Sequence, residues 1–147
     1  MDAENSTIGM RILALDVGKL RIGIAVSDPL AMTARPHSTI ARDKQSISKI
    51  ATLAKELDAS LILVGLPLHL SGEEGSQAKD VRAFAAKLRR AVDPLALEFW
   101  DERLTSVEAT ERLSQHRGDW REKKKRLDAV AAAVILESYL RERESAK

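Results

Sequence analysis

The chain has 147 residues, enough for one domain with a real hydrophobic core. Its 44% hydrophobic and 31% charged residues exclude a disordered chain, the absence of cysteine excludes disulfides, thiolate zinc sites and a Cys nucleophile, and 3% aromatics argue against base stacking as the main binding mode. Lys+Arg number 24 against 22 Asp+Glu, so at a net charge of +2 any affinity for nucleic acid must come from a local patch.

Residues 1–10 are polar at their start and lack the basic and apolar regions of a signal peptide. No window approaches the roughly 18 apolar residues of a spanning helix. A cytosolic protein is expected, with a flexible tail over 1–10, a single domain over 11–141 and a charged tail over 142–147. Residues 11–28 read RILALDVGKLRIGIAVSD: two aliphatic runs around a Gly-containing turn, the pattern of a β-hairpin. Both runs are apolar at consecutive positions, which predicts a sheet covered on both faces. Asp28-Pro29 stops the second arm. A loop and a third strand over 37–40 follow, and Asp43 is placed to cap a helix over 44–57.

The apolar run 61–65 after that helix predicts a buried parallel strand. A Gly-bearing loop over 66–75 leads to a helix over 77–91, with Val81, Phe84, Ala85 and Leu88 on one side and Lys79, Arg82, Lys87, Arg89 and Arg90 on the other. Asp93-Pro94 ends it, and 95–100 reads as a fifth strand. Thr105 to Glu108 matches a capping box opening a helix through residue 115. The basic stretch 116–126 then leads into 127–140, LDAVAAAVILESYL, apolar nearly all round and therefore a buried helix. The order predicts an α/β domain: a five-stranded mixed sheet, an antiparallel hairpin leading into parallel strands, with helices on both faces.

Acids fall at element ends. Asp16 ends the first strand, Asp101 and Glu102 end the fifth, and Asp128 enters the apolar helix. Sites in mainly parallel sheets gather beyond the strand ends, so Asp16, one of Asp101 or Glu102, and Asp128 can meet there. Three converging carboxylates repel and raise one another's pKa unless a cation is present. Oxygen ligands without Cys or clustered His favour Mg²⁺ or Mn²⁺, and two such ions about 4 Å apart suit phosphodiester hydrolysis. Each acid also has a plainer use: Asp128 as a helix cap or a partner of Lys124 or Arg121, Asp101 and Glu102 as partners of Arg103. Arg121, Lys123, Lys124, Lys125 and Arg126 are the best phosphate-contacting candidates, because the run leads straight to Asp128. His37, His69 and His116 are not spaced as metal ligands; His69, in the glycine loop, is the one placed to meet nucleic acid.

ILALDVGKLRIGIAVSDPL, ILVGLPLHLSGEEGSQA, WDERLTSVEA and LDAVAAAVILESYL resemble, in order and spacing, four blocks of the YqgF family of Holliday-junction-resolvase-like bacterial proteins. The resemblance implies a ribonuclease-H-like fold, a metal-dependent nuclease and a role in maturing the 5′ end of 16S ribosomal RNA in the cytoplasm. It places the family's acids on Asp16, Glu102 and Asp128, with Asp101 second to Glu102 because Trp100 and Glu102 share strand parity. It also places phosphate-orienting roles on Arg21 and Arg103. His69, Ser71, Ser106, Arg126 and Leu127 depart from the family pattern, which bears on substrate preference and leaves the acids in place. The expected partner is a ribosomal RNA precursor or, alternatively, branched DNA, bound by a monomer or homodimer. A non-catalytic RNA or transcription-complex binding protein and a nucleotide phosphotransferase are the rival classes, the latter short of the second lobe that such enzymes use.

Overall fold

The computed structural model describes residues 11–104 and 120–145, with side chains of the last helix described from Leu127 to Glu144. Strands β1 (Arg11–Val17) and β2 (Arg21–Ser27) form the antiparallel hairpin, and β3 (Ala34–Ala41) extends it. Strands β4 (Ala59–Leu66) and β5 (Ala96–Asp101) run parallel to β1 and to each other. The sheet order is β3-β2-β1-β4-β5, which puts β1 at the centre. Helices α1 (Ser46–Glu56), α2 (Ser76–Val92) and α3 (Trp120–Ser145), with a 3₁₀ turn over Glu102–Leu104, complete the described elements.

Alternation along each strand sorts side chains between two cores. Leu13, Leu15 and Val17 of β1 pack with Ile62 and Val64 of β4 against Ile50 and Ala54 of α1 and Val81, Phe84 and Leu88 of α2. Ile12 and Ala14 pack with Leu61 and Leu63 on the other face, against Ala132, Ala133, Ile135 and Leu136 of α3. The consecutive apolar positions of the hairpin are thus explained by helices on both faces. Small side chains at 132 and 133 let α3 lie close to the sheet, and both are buried. No helix of the described residues is long and apolar enough to cross a membrane.

The structure departs from the sequence-based bounds in three places. Strand β3 begins at Ala34 rather than at 37 and includes Pro36, which an edge strand tolerates because one side of it has no ladder to feed. Helix α1 begins at Ser46, and Asp43 serves the turn before it: its Oδ1 accepts from the Gln45 N–H, while its own N–H donates to Ser46 Oγ. Helix α3 begins at Trp120, two turns before residue 127, because Arg, Glu and Lys are good helix formers and no breaker follows Gly118. It also runs on to Ser145, past the expected domain end at 141. Asp128 therefore lies inside the helix, not at its cap. The expected tail over 1–10, the capping box at Thr105 with its helix through 115, Ser106 and His116 lie outside the described residues. So do the side chains of Arg121, Lys123, Lys124, Lys125 and Arg126.

The turn joining β1 to β2 is held from outside. Arg42 donates through its backbone to the Leu20 carbonyl at 2.9 Å and through Nη1 to the Gly18 carbonyl at 3.0 Å. Its guanidinium grips Asp80 of α2 at 2.7 and 3.0 Å and lies 5.1 Å from the centre of the Phe84 ring. Arg42→Met keeps the stem and removes the fork. It is expected to lower stability by about 1–2 kcal/mol, read as a shift in urea midpoint without a change of slope.

Candidate active site

Asp16 continues the series Ile12, Ala14 on the α3 face of β1. Its neighbour across the hairpin is Gly23. A Cβ built on Gly23 would overlap the carbonyl group of Asp128, so the missing side chain is what lets the backbone of α3 touch β2 there. On the other side of β1, a Cβ on Gly65 of β4 would stand 2.9 Å from Glu102 Oε1 and 2.5 Å from Ile135 Cδ1. Two strand glycines thus open the space beside Asp16, one for the backbone of α3 and one for the Glu102 side chain. Neither was singled out for this from sequence, although a glycine inside a strand commonly marks a close approach.

Glu102 opens a 3₁₀ turn over Glu102–Leu104 directly after β5. Its carboxyl is hydrogen-bonded to that of Asp16. Burial raises the Glu102 pKa to about 8, with further upward pressure from the Asp16 charge, the hydrogen bond and the Asp101 charge. Burial also raises Asp16; the Glu102 hydrogen bond opposes that rise and the Asp128 charge adds to it. Glu102 therefore holds the proton that the two share and donates it to Asp16. Such a pair titrates as a unit.

Asp128 faces Arg21, the first residue of β2, whose Nε lies 2.6 Å from Asp128 Oδ2. Asp101 is turned away to Arg103: the Arg103 Nε, Nη2 and backbone N–H all donate to it, at 2.6 to 3.1 Å. These bonds hold the Asp101 carboxyl below its ordinary range. The plainer use weighed for the fifth-strand acids, pairing with Arg103, is thus what Asp101 does, whereas Glu102 points to Asp16. Arg103 Nη1 also donates to the Leu70 carbonyl at 3.2 Å, tying the 66–75 loop to the end of β5. His69 closes that loop: its N–H donates to Glu73 and its carbonyl accepts from Gly72, with its ring against Gly75.

Among the described residues no group of three or more His, Cys, Asp or Glu is placed so as to hold a metal ion as it stands. Asp16 and Glu102 share a proton, and Asp128 is neutralised by a guanidinium. The donor set nonetheless suits a hard divalent ion: all donors are carboxylate oxygens, and two of them are held together at a cost that positive charge would relieve. Asp16, Glu102 and Asp128 are the candidates to hold it.

Residues 10–142 match the family model RuvX, described as Holliday junction resolvase. The chain is 42% identical over 133 residues to a protein of Desulforamulus reducens named "Putative pre-16S rRNA nuclease", covering 89% of this chain and 96% of that one. A protein of the same name from Fusobacterium nucleatum is 42% identical over 132 residues, covering 88% and 96%. Among solved structures, RuvC of T. thermophilus in complex with a Holliday junction substrate superposes with a TM-score of 0.59 at 12% identity, covering 91% of this chain and 96% of that one. The fowlpox virus resolvase with Holliday junction DNA gives 0.53 at 10% identity, covering 91% and 99%. At such identities the likeness is one of fold, and it bears out the ribonuclease-H-like architecture.

Proposed function

The chain belongs to the RuvX (YqgF) family, and on that premise we propose that it is a metal-dependent endonuclease hydrolysing phosphodiesters of structured RNA, acting at the 5′ end of the 16S ribosomal RNA precursor in the cytoplasm. The observation that carries this is the Asp16–Glu102 pair, two carboxyls sharing a proton beside a third acid at the ends of strands β1 and β5. A structural role does not need carboxyls there; Asn and Gln would hydrogen-bond without the electrostatic cost. A nuclease that must gather positive charge against a phosphate does need them.

Mg²⁺ or Mn²⁺, as a pair of ions, would supply Lewis-acid charge at the attacked phosphate and lower the pKa of water. Asp16, Glu102 and Asp128 would hold that charge in place, with Asp101, now clasped by Arg103, as a further candidate ligand. Arg103 and Arg21 present guanidiniums to phosphate at the rim, where Arg–phosphate pairs can form two parallel bonds. His69 contributes from the glycine loop. The run of Arg121, Lys123, Lys124, Lys125 and Arg126 at the start of α3 steers the backbone of the substrate toward Asp128.

Branched DNA is the second reading, favoured by the description of the matching family model. Labelled precursor 16S RNA and a four-way DNA junction incubated side by side with Mn²⁺ separate the two. Cleavage of the RNA, lost in Glu102→Gln, is the expected result. Cleavage of the junction alone moves the substrate to DNA. Cleavage of neither, with tight binding abolished by charge reversal at Lys123 to Arg126, would show a binding protein.

A further inference from the structure

Arg21 reaches Asp128 from the far side of the chain's sequence, 107 positions away, through a 2.6 Å ion pair whose members are 33% and 29% exposed. The backbone of Asp128 is held by other contacts. Its backbone is seated on Gly23, and α3 is anchored by Val130, Ala132, Ala133 and Leu136, all buried. What Arg21 supplies is charge. Asp128 stands near enough to Asp16 to raise its pKa, so the Asp128 carboxylate needs a counter-ion, and among the described side chains the Arg21 guanidinium supplies it.

We propose that Arg21 is the resident counter-ion of Asp128, exchanged when a divalent ion takes that carboxylate, and that the released guanidinium then pairs with the substrate phosphate. The inference rests on the metal-nuclease reading and adds a coupling to it. No covalent bond changes: the Arg21–Asp128 ion pair opens, Asp128 becomes a ligand, and Arg21 keeps its proton and its positive charge. Ion loading and phosphate binding then share one side chain. Each must favour the other, because coupling between two ligands is reciprocal. Arg21 sits next to the clamped turn of the hairpin, so its backbone stays in place while the side chain swings about its own torsions.

The test is calorimetric titration of the full chain with Mn²⁺, comparing the wild type with Arg21→Gln and Arg21→Lys, each checked by thermal melting for a folded state. Binding of a short fluorescein-labelled RNA is measured with and without Mn²⁺. Arg21→Gln is expected to bind Mn²⁺ about fivefold more tightly, because the competing cation is gone, and to bind RNA about fivefold more weakly only when Mn²⁺ is present. Arg21→Lys should fall between the two. If Arg21→Gln binds Mn²⁺ equally well or less well, Arg21 orients Asp128 rather than competing for it, and the inference is overturned while the nuclease reading stands. If the folded wild type takes up no Mn²⁺, the metal-nuclease reading fails and the inference with it.

Discussion

Asp16→Asn is expected to lose cleavage by about 10³-fold or more and, at the same time, to become more stable at pH 8. The two effects have one cause. Burial and the neighbouring acids lift the Glu102 pKa to about 8, above the ordinary glutamate value of 4.5. Between those two values the folded protein binds more protons than the unfolded chain. Stability therefore falls as pH rises through that window: the contribution of the Glu102 proton is fully present below about pH 4.5 and is lost as pH passes about 8. Asparagine at 16 removes the charge that Glu102 feels and still offers it a hydrogen bond, so the slope should flatten. Glu102 keeps part of its surface in solvent, which screens the effect, and a gain of about 1–2 kcal/mol over the wild type at pH 8 is expected.

Two measurements check this. Urea unfolding at several pH values should show the wild type losing stability on going up from mildly acid to pH 8, and Asp16→Asn losing less, because the burial of Glu102 remains. Carbon NMR of the glutamate carboxyls should show the Glu102 titration moving down in the variant. Added Mn²⁺ should reverse the order, stabilising the wild type by mass action and leaving the variant almost unchanged. A folded Asp16→Asn that cuts at the wild-type rate, or one whose stability profile overlays the wild type, would remove the basis of the assignment. A gain in stability on loss of activity is the mark of a site held under electrostatic strain for function.

Gly23→Ala is expected to cost about 3 kcal/mol, near the upper end for added volume in a packed core. The new methyl meets backbone atoms, the Asp128 carbonyl and the Ala129 nitrogen, rather than a side chain that can turn aside. To make room, α3 must move off the sheet, and α3 covers Ile12, Ala14, Leu61 and Leu63. The same step withdraws Asp128 from Asp16, so activity should fall further than the folded fraction does. Gly75→Ala is the contrast: the atoms nearest its Cβ would be those of the His69 ring, a side chain that can yield, and a change under about 1 kcal/mol is expected. Denaturant midpoints of the two variants, compared directly, decide whether the backbone contact at Gly23 carries the weight given to it.

Much of the architecture was readable along the chain. The hairpin, the buried run of β4, the amphipathic α2 and the aliphatic α3 each announced themselves by period and by flanking breakers, because burial on one face or two writes itself directly into apolar spacing. Boundaries were missed where tertiary context overrode local signals. Pro36 was tolerated because β3 is an edge, and the basic residues before Leu127 joined α3 because nothing between them breaks a helix.

Residue order alone placed Asp16 near the end of β1 and Asp101 and Glu102 at the end of β5, since strand length and turn chemistry are local, but not Asp128, which lies two turns inside α3. It could not settle which way each carboxyl turns. That Glu102 meets Asp16 while Asp101 is gripped by Arg103, and that Arg21 neutralises Asp128, depends on side chains drawn together by the sheet order and by two glycines that let α3 and Glu102 close in on β1. Those contacts join positions far apart in the chain, and their charges act through space, so only the folded packing decides them.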